Sequence, residues 1–408
     1  TSSSIYLQTH WVGDFMDRPV NVFYGLRYEE TDVHSEALVP LYDRVEWSIV
    51  DNRFNLYRQK DEQGKTIQGF SEIDGAYSMV LPSLDFDIEL IDDLILRASY
   101  SLSVTRPVYN DLKGALIIDY LGADGGGGRR GNPQLLPMES SNIDISLEWY
   151  YDEGSYISAG FWAKDVDNFI VSNTFENQPL FSDLFTPIDS DLFNQAVEEL
   201  TGGDPRFDFD LGDLNEYYAE NYASEPGVVV TGEGEETEVV VTGLEGDPVA
   251  IFDITIPINQ RETKVKGLEL MAQHTFGESG FGFQANYTIV DGDLEYDINL
   301  NEEQWVVPGM SNTANLVAFY DKNGLQARIA LNWREQFLSS AARDPMFVEE
   351  YYQLDMNISY EVSDQFSVFI EGINLTEEDQ RIHGRSTYQL REYAVGHARY
   401  NFGLRYSF

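Results

Sequence analysis

The sequence predicts an all-β chain, a transmembrane antiparallel β-barrel, and three observations carry that expectation. Apolar and polar residues alternate with period two over runs of about 9–11 residues or more, the length a tilted strand needs to cross a bilayer. The connections between the runs alternate strictly between short turns and long polar loops. Aromatic residues sit at or near every short turn, where a membrane interface places a girdle. A soluble sandwich also alternates, but its strands average only about 5–6 residues.

Taken in order, thirteen strands are expected at 3–12, 19–32, 77–87, 93–105, 139–151, 155–170, 262–276, 280–291, 310–320, 324–335, 350–361, 365–373 and 395–408. The second sets Val20, Val22, Tyr24, Leu26 and Tyr28 against Asn21, Gly25, Arg27 and Glu29. The fourth sets Leu94, Leu96, Ala98, Tyr100 and Leu102 against Arg97, Ser99, Ser101 and Ser103. In the fifth, Ile143, Ile145, Leu147 and Trp149 oppose Asn142, Asp144, Ser146 and Glu148. The eighth opposes Phe281, Phe283 and Ala285 to Gln284 and Asn286, and the tenth Ala327, Ile329 and Leu331 to Arg328 and Asn332. The last alternates Tyr400, Phe402, Leu404, Tyr406 and Phe408 with Asn401, Gly403, Arg405 and Ser407. Such an apolar row needs an apolar cover, and lipid supplies it; the polar rows, rich in Asn, Gln, Ser, Thr and Arg, suit a wet lumen.

Short turns fall at 13–18, 88–93, 151–155, 277–280, 321–324 and 361–365, flanked by Phe15, Phe86, Trp149, Phe276, Tyr320 and Tyr360. Long loops lie near 30–76, 106–138, 171–262, 290–309, 335–349 and 373–394. Closed single-chain bacterial barrels have an even number of strands. An odd count that starts at the long-loop end predicts at least one further strand upstream, and thirteen strands alone leave two open edges.

The totals narrow the function. No apolar run approaches the roughly 18 residues of a membrane helix, which says nothing against a barrel. Across 408 residues the net charge is −44, the wrong sign for a phosphate-binding surface, so nucleic acid is not an expected partner. There is no cysteine, which excludes disulfides, thiolate zinc sites and cysteine nucleophiles. The chain opens on TSSSIYLQTHW, directly in a strand-like alternation, as a stretch cut from something longer would.

Six stretches carry a family resemblance: GAYSMVLPSLDFDIELIDDLILRASYSLSVTRP (75–107), GNPQLLPMESSNIDISLEWYY (131–151), GFWAKDVDNFI (160–170), VKGLELMAQHTF (265–276), FIEGINLTEE (369–378) and the terminal YNFGLRYSF. In order and spacing, over nearly the whole chain, they resemble the barrel half of a TonB-dependent outer-membrane receptor. The nearest likeness is to the subgroup of proteobacteria that live on plant and algal polymers. The resemblance implies a barrel of about 22 strands with an N-terminal plug and a TonB-contacting box. Residues 1–408 would be the C-terminal part of that barrel; plug and box are not among them, so the TonB complex would be met through a segment outside this sequence. It further implies the bacterial outer membrane, surrounding lipid, no catalysis, and uptake of a bulky nutrient. An oligosaccharide is the first expectation, with a ferric siderophore or a non-transporting surface binding protein as alternatives and a surface lipoprotein as a further partner.

Individual residues refine this. The run LGADGGGGRRGNP (121–133) lacks the GK[ST] ending of a phosphate loop. It reads as flexible loop backbone whose Arg129 and Arg130 are by default solvated, with clamping of a ligand carboxylate as the alternative. Together with Arg343 and Arg385 they could gather into one positive pocket, and Asn132 joins them as a ligand-binding candidate. Trp305, Tyr388, Tyr217, Tyr218 and Tyr222 are loop aromatics that could offer flat faces to sugars or simply pack loops together. The five histidines show no metal-ligand spacing, and no nucleophile elbow exists. Residues 172–250 hold nineteen acids and one basic residue, Arg206. Within them SDLFNQAVEELTGG reads as a helix capped by Ser190 and stopped at Gly202. Asp204, Asp208, Asp210 and Asp213 crowd together; solvated acid is the default and a calcium site the alternative, without EF-hand spacing. No other cofactor is expected.

Overall fold

The computed structural model describes residues 1–203, 209–301, 304, 306–341 and 344–407. Thirteen strands form its frame: β1 (Ser2–Phe15), β2 (Arg18–Pro40), β3 (Gln68–Ile91), β4 (Leu94–Thr105), β5 (Met138–Asp152), β6 (Ser155–Gln178), β7 (Phe252–Thr275), β8 (Phe281–Gly292), β9 (Thr313–Lys322), β10 (Leu325–Arg334), β11 (Tyr351–Ser363), β12 (Phe366–Ile373) and β13 (Arg399–Tyr406). Each pairs antiparallel with the next in chain order, and among the described residues β1 and β13 are the outer strands of an open sheet. All thirteen expected strands are present. Turn chemistry fixes their short-turn ends. Met16 and Asp17 both have positive φ, as do Asn323 and Gly324, giving the two-residue turns whose twist matches flanking strands.

Pairing carries one apolar row across eight strands: Trp11, Val22, Phe86, Ala98, Ile145, Phe161, Leu268 and Ile289. The adjacent row reads Val12, Asn21, Asp87, Arg97, Ser146, Gly160, Glu269 and Thr288. The two faces continue to the far edge, with Ile358, Ile370 and Phe402 paired on the apolar one and Asn357, Glu371 and Asn401 on the polar one. The register therefore sorts lipid-facing from lumen-facing residues as the alternation predicts. Phe402 is 77% exposed and Trp11 54%, within a belt of bare apolar side chains too large for a soluble surface. On the polar face three rings lie across glycines of the neighbouring strand: Trp162 over Gly267, Phe319 over Gly282 and Phe369 over Gly403. A Cβ at Gly267 would stand 2.5 Å from the Trp162 indole, so only glycine admits that packing.

At the long-loop end the structure exceeds the sequence expectation. β2, β3, β6 and β7 extend well beyond their apolar alternation, to Pro40, from Gln68, to Gln178 and from Phe252. There the loops from three connections form a layer with its own core. A four-stranded sheet runs in the order Val228–Thr231, Glu238–Thr242, Tyr42–Ser48, Arg53–Arg58. Two helices, α1 (Asp191–Thr201) and α2 (Leu211–Asn221), pack on it around Trp47, Ile49, Ala196, Leu214, Tyr218 and Val239. α1 has the predicted ends: Phe193 N–H donates to Ser190 Oγ at 3.2 Å, and Gly202 closes it at φ 64°. A second core joins Val45, Leu184, Ala250, Phe252 and Ile254 to Leu116, Ile118 and Leu121. A separate four-stranded sheet, Phe337–Ser340, Met346–Val348, Gln380–His383 and Leu390–Ala394, ties the later loops together, with Phe347 stacked on His383 at 5.4 Å.

Candidate ligand-binding face

The glycine run is ordered, which corrects its expectation as flexible backbone. Leu116–Gly122 and Gly125–Arg130 form a hairpin, and residues Gly126 to Arg129 pair in parallel with Phe252 to Thr255 at the top of β7. Gly126, Gly127 and Gly128 are buried because neighbours occupy the space a side chain would need. A Cβ on Gly126 would lie 2.4 Å from the Phe252 ring, and one on Gly128 would lie 2.5 Å from the Ile117 carbonyl oxygen. The hairpin tip, with Asp124, closes one side of a cavity of about 520 Å³; Trp47, Asp189, Phe193, Phe209 and Ala250 line the rest. Its lining is aromatic, with the two carboxylates of Asp124 and Asp189.

Five arginines of this face are held by carboxylates. Arg129 donates twice to the Asp119 carboxylate, at 2.7 and 2.8 Å. Arg44 is paired with Asp43 and Glu46, Arg53 with Asp51, Arg381 with Glu349 and Arg391 with Asp344. Arg130 is exposed and has no ion pair among the described residues.

The sequence-nominated residues separate into two groups. Arg129, Arg130 and Asn132 share the hairpin and its exit. The Asn132 amide donates to the Pro257 carbonyl at 3.2 Å and accepts from Gln134 N–H at 3.0 Å, so it clamps the loop to β7. Arg385 and Tyr388 lie on the loop after β12. Arg385 donates to the Ile298 carbonyl at 2.6 Å, and Tyr388 is 96% exposed. Trp305, Arg343, Asp204 and Asp208 lie outside the described residues. Asp210 caps α2, accepting from Gly212 N–H at 2.6 Å, and Asp213 falls in that helix's first turn. Tyr218 is not a surface platform: it is fully buried, and burial raises its phenol well above the ordinary range. Tyr222 beside it, at 5.1 Å, is pushed up to about 12, by burial first and then by Tyr217.

Trp47 is the site residue that the sequence expectation lacked, although Val45, Trp47 and Ile49 alternate within the first long loop. The repeated valines of PGVVVTG and TEVVVTG likewise signal the Val228–Thr242 hairpin.

An antiparallel sheet of bilayer-spanning strands, apolar on one face and polar on the other, with short turns at one end and a built loop layer at the other, defines an outer-membrane β-barrel receptor. The family described as TonB dependent receptor-like, beta-barrel, matches residues 1–375, and the chain belongs to that family of transport receptors, proteins of the outer membrane of Gram-negative bacteria. No curated protein matches the sequence significantly. Among solved structures, the siderophore receptor PirA from Acinetobacter baumannii is similar at 15% identity and a TM-score of 0.53, covering all of this chain and 55% of that one. A ferric enterobactin receptor mutant from Pseudomonas aeruginosa, in complex with enterobactin, gives 13% identity and 0.51, covering 100% and 54%. The copper transporter OprC gives 12% and 0.53, covering 100% and 48%. The chain thus spans about half the length of these receptors, and identities this low speak to fold alone.

Proposed function

We propose that this chain is the C-terminal barrel portion of a receptor that captures a bulky neutral or cationic nutrient, an oligosaccharide, for TonB-dependent uptake. The observation that carries the substrate class is electrostatic: an acidic loop layer in which Arg129, Arg44, Arg53, Arg381 and Arg391 are each held by carboxylates. Such a layer repels anions within a Debye length, about 8 Å at physiological salt. Sugar hydroxyls are satisfied by carboxylates and amides, and aromatic walls such as Trp47 and Phe193 accept their apolar faces. TonB would engage through a segment outside these residues, a surface lipoprotein could deliver the ligand, and calcium could occupy the acidic segment around Asp210 and Asp213.

A second reading, a ferric siderophore, is favoured by the unpaired, exposed Arg130. Binding to the full-length receptor separates them. Neutral oligosaccharides should bind and compete with one another. Tight, iron-dependent binding of an anionic siderophore with no affinity for any glycan would overturn the carbohydrate proposal.

A further inference from the structure

We infer that Tyr120 is a sugar-stacking platform on the extracellular face, an inference that rests on the carbohydrate proposal and gives it a place. Tyr120 pairs with Gly127 across the glycine hairpin, and its ring lies over that glycine: a Cβ there would stand 2.2 Å from Cε1. The residue is nonetheless 62% exposed, so backbone supports one face of the ring and the other is open. The three lumen rings that lie over glycines in the same way are half-buried; Tyr120 presents its surface to solvent.

On the same side of the sheet the ring is surrounded by polar groups, apart from the exposed Ile117 that pairs with Arg129. Arg129, two residues past Gly127, holds its partner Asp119 through one guanidinium nitrogen, and Asp119 sits in the bulge beside Tyr120. Parallel pairing sets Asp253 beside Gly127 and Thr255 beside Arg129, and Thr174 follows, its hydroxyl 3.0 Å from that of Thr255. A pyranose has an apolar C–H face and a rim of hydroxyls that both donate and accept. The ring fits the first, and the guanidinium, carboxylates and hydroxyls fit the second. The Arg129–Asp119 pair is neutral and Asp253 adds a negative charge, so an uncharged sugar suits this surface better than an anion. The glycine run then has a chemical reason: any side chain at Gly127 would lift the ring off its support.

The test uses the full-length receptor in micelles and a panel of neutral hexasaccharides of glucose, xylose, mannose and galactose, with a ferric catecholate siderophore as the anionic arm. Tyr120→Ala should weaken hexasaccharide binding about tenfold, the loss of one stacking contact. Tyr120→Phe should stay within about twofold, because stacking uses the ring and not the hydroxyl. Gly127→Val should behave like Tyr120→Ala, with circular dichroism and heat stability checked for all three. A hexasaccharide bound equally well by wild type and Tyr120→Ala overturns the platform and leaves the uptake proposal standing. No hexasaccharide bound by the wild type overturns both.

Discussion

His34 and Asp74 face each other across β2 and β3 above the membrane, 2.6 Å apart and exposed. The hydrogen bond to Asp74 is the largest cause of a raised His34 pKa, followed by the charge of Asp74, with Glu36 and Glu72 adding to it. A raised folded-state pKa means that this contact contributes fully below the unfolded value, about 6.5, and fades as pH climbs through the folded one. An NMR titration should show His34 titrating above that value in the wild type and falling towards it in Asp74→Asn; an unmoved His34 would refute the pairing. Tyr218 gives a second prediction at this scale. Its hydroxyl is buried with no hydrogen-bond partner among the described residues, while its ring fills the core of the loop layer. Tyr218→Phe should be neutral or slightly stabilising in chemical denaturation, whereas Tyr218→Ala should cost about 3–5 kcal/mol for the cavity left behind.

Strands are where the sequence was most informative, because a bilayer imposes alternation directly. Ile145→Arg, on the lipid face of β5 and four residues from the girdle Trp149, should cost about 2–4 kcal/mol, and Ser146→Arg, its lumen-facing neighbour, far less. Equal costs in folding titrations would contradict the register that pairs Ile145 with Ala98 and Ser146 with Arg97. Above the membrane the same chain loses that legibility. Both faces of Thr31-Asp32-Val33-His34-Ser35-Glu36 meet water or loops, so nothing in the pattern marks β2 as continuing to Pro40. α1 was readable because Ser190 and Gly202 bracket it. α2 was not: Leu211, Leu214 and Tyr218 make a short stripe directly after a crowd of aspartates that suggests an ion site more than a cap. At the candidate site, the sequence located Arg129 and Asn132 but not their partners. Asp119 and Pro257 become neighbours only through the hairpin and its pairing to β7, and Trp47 enters the cavity only because Val240–Thr242 pairs beside its strand.

The whole molecule acts first through its field. With a net charge of −44 and a loop layer whose arginines are mostly paired, association of an anionic ligand should quicken as salt is raised, while a neutral oligosaccharide should be indifferent. Stopped-flow association rates across an ionic-strength series test this, and an anion whose binding slows with added salt would point to a positive entrance. The loop layer also imposes an order of events on biogenesis. Ser48 donates to Glu238 at 2.9 Å across 190 positions of sequence, and Trp47 pairs with Val241 in the same sheet. Loop closure over such a separation is slow and cannot begin before both segments are present. The first long loop can therefore cover Val45, Trp47 and Ile49 only once the third loop, carried between β6 and β7, has been brought beside it. Closure of this sheet is a checkpoint: a folded cap reports that two stretches of chain some 190 residues apart have met.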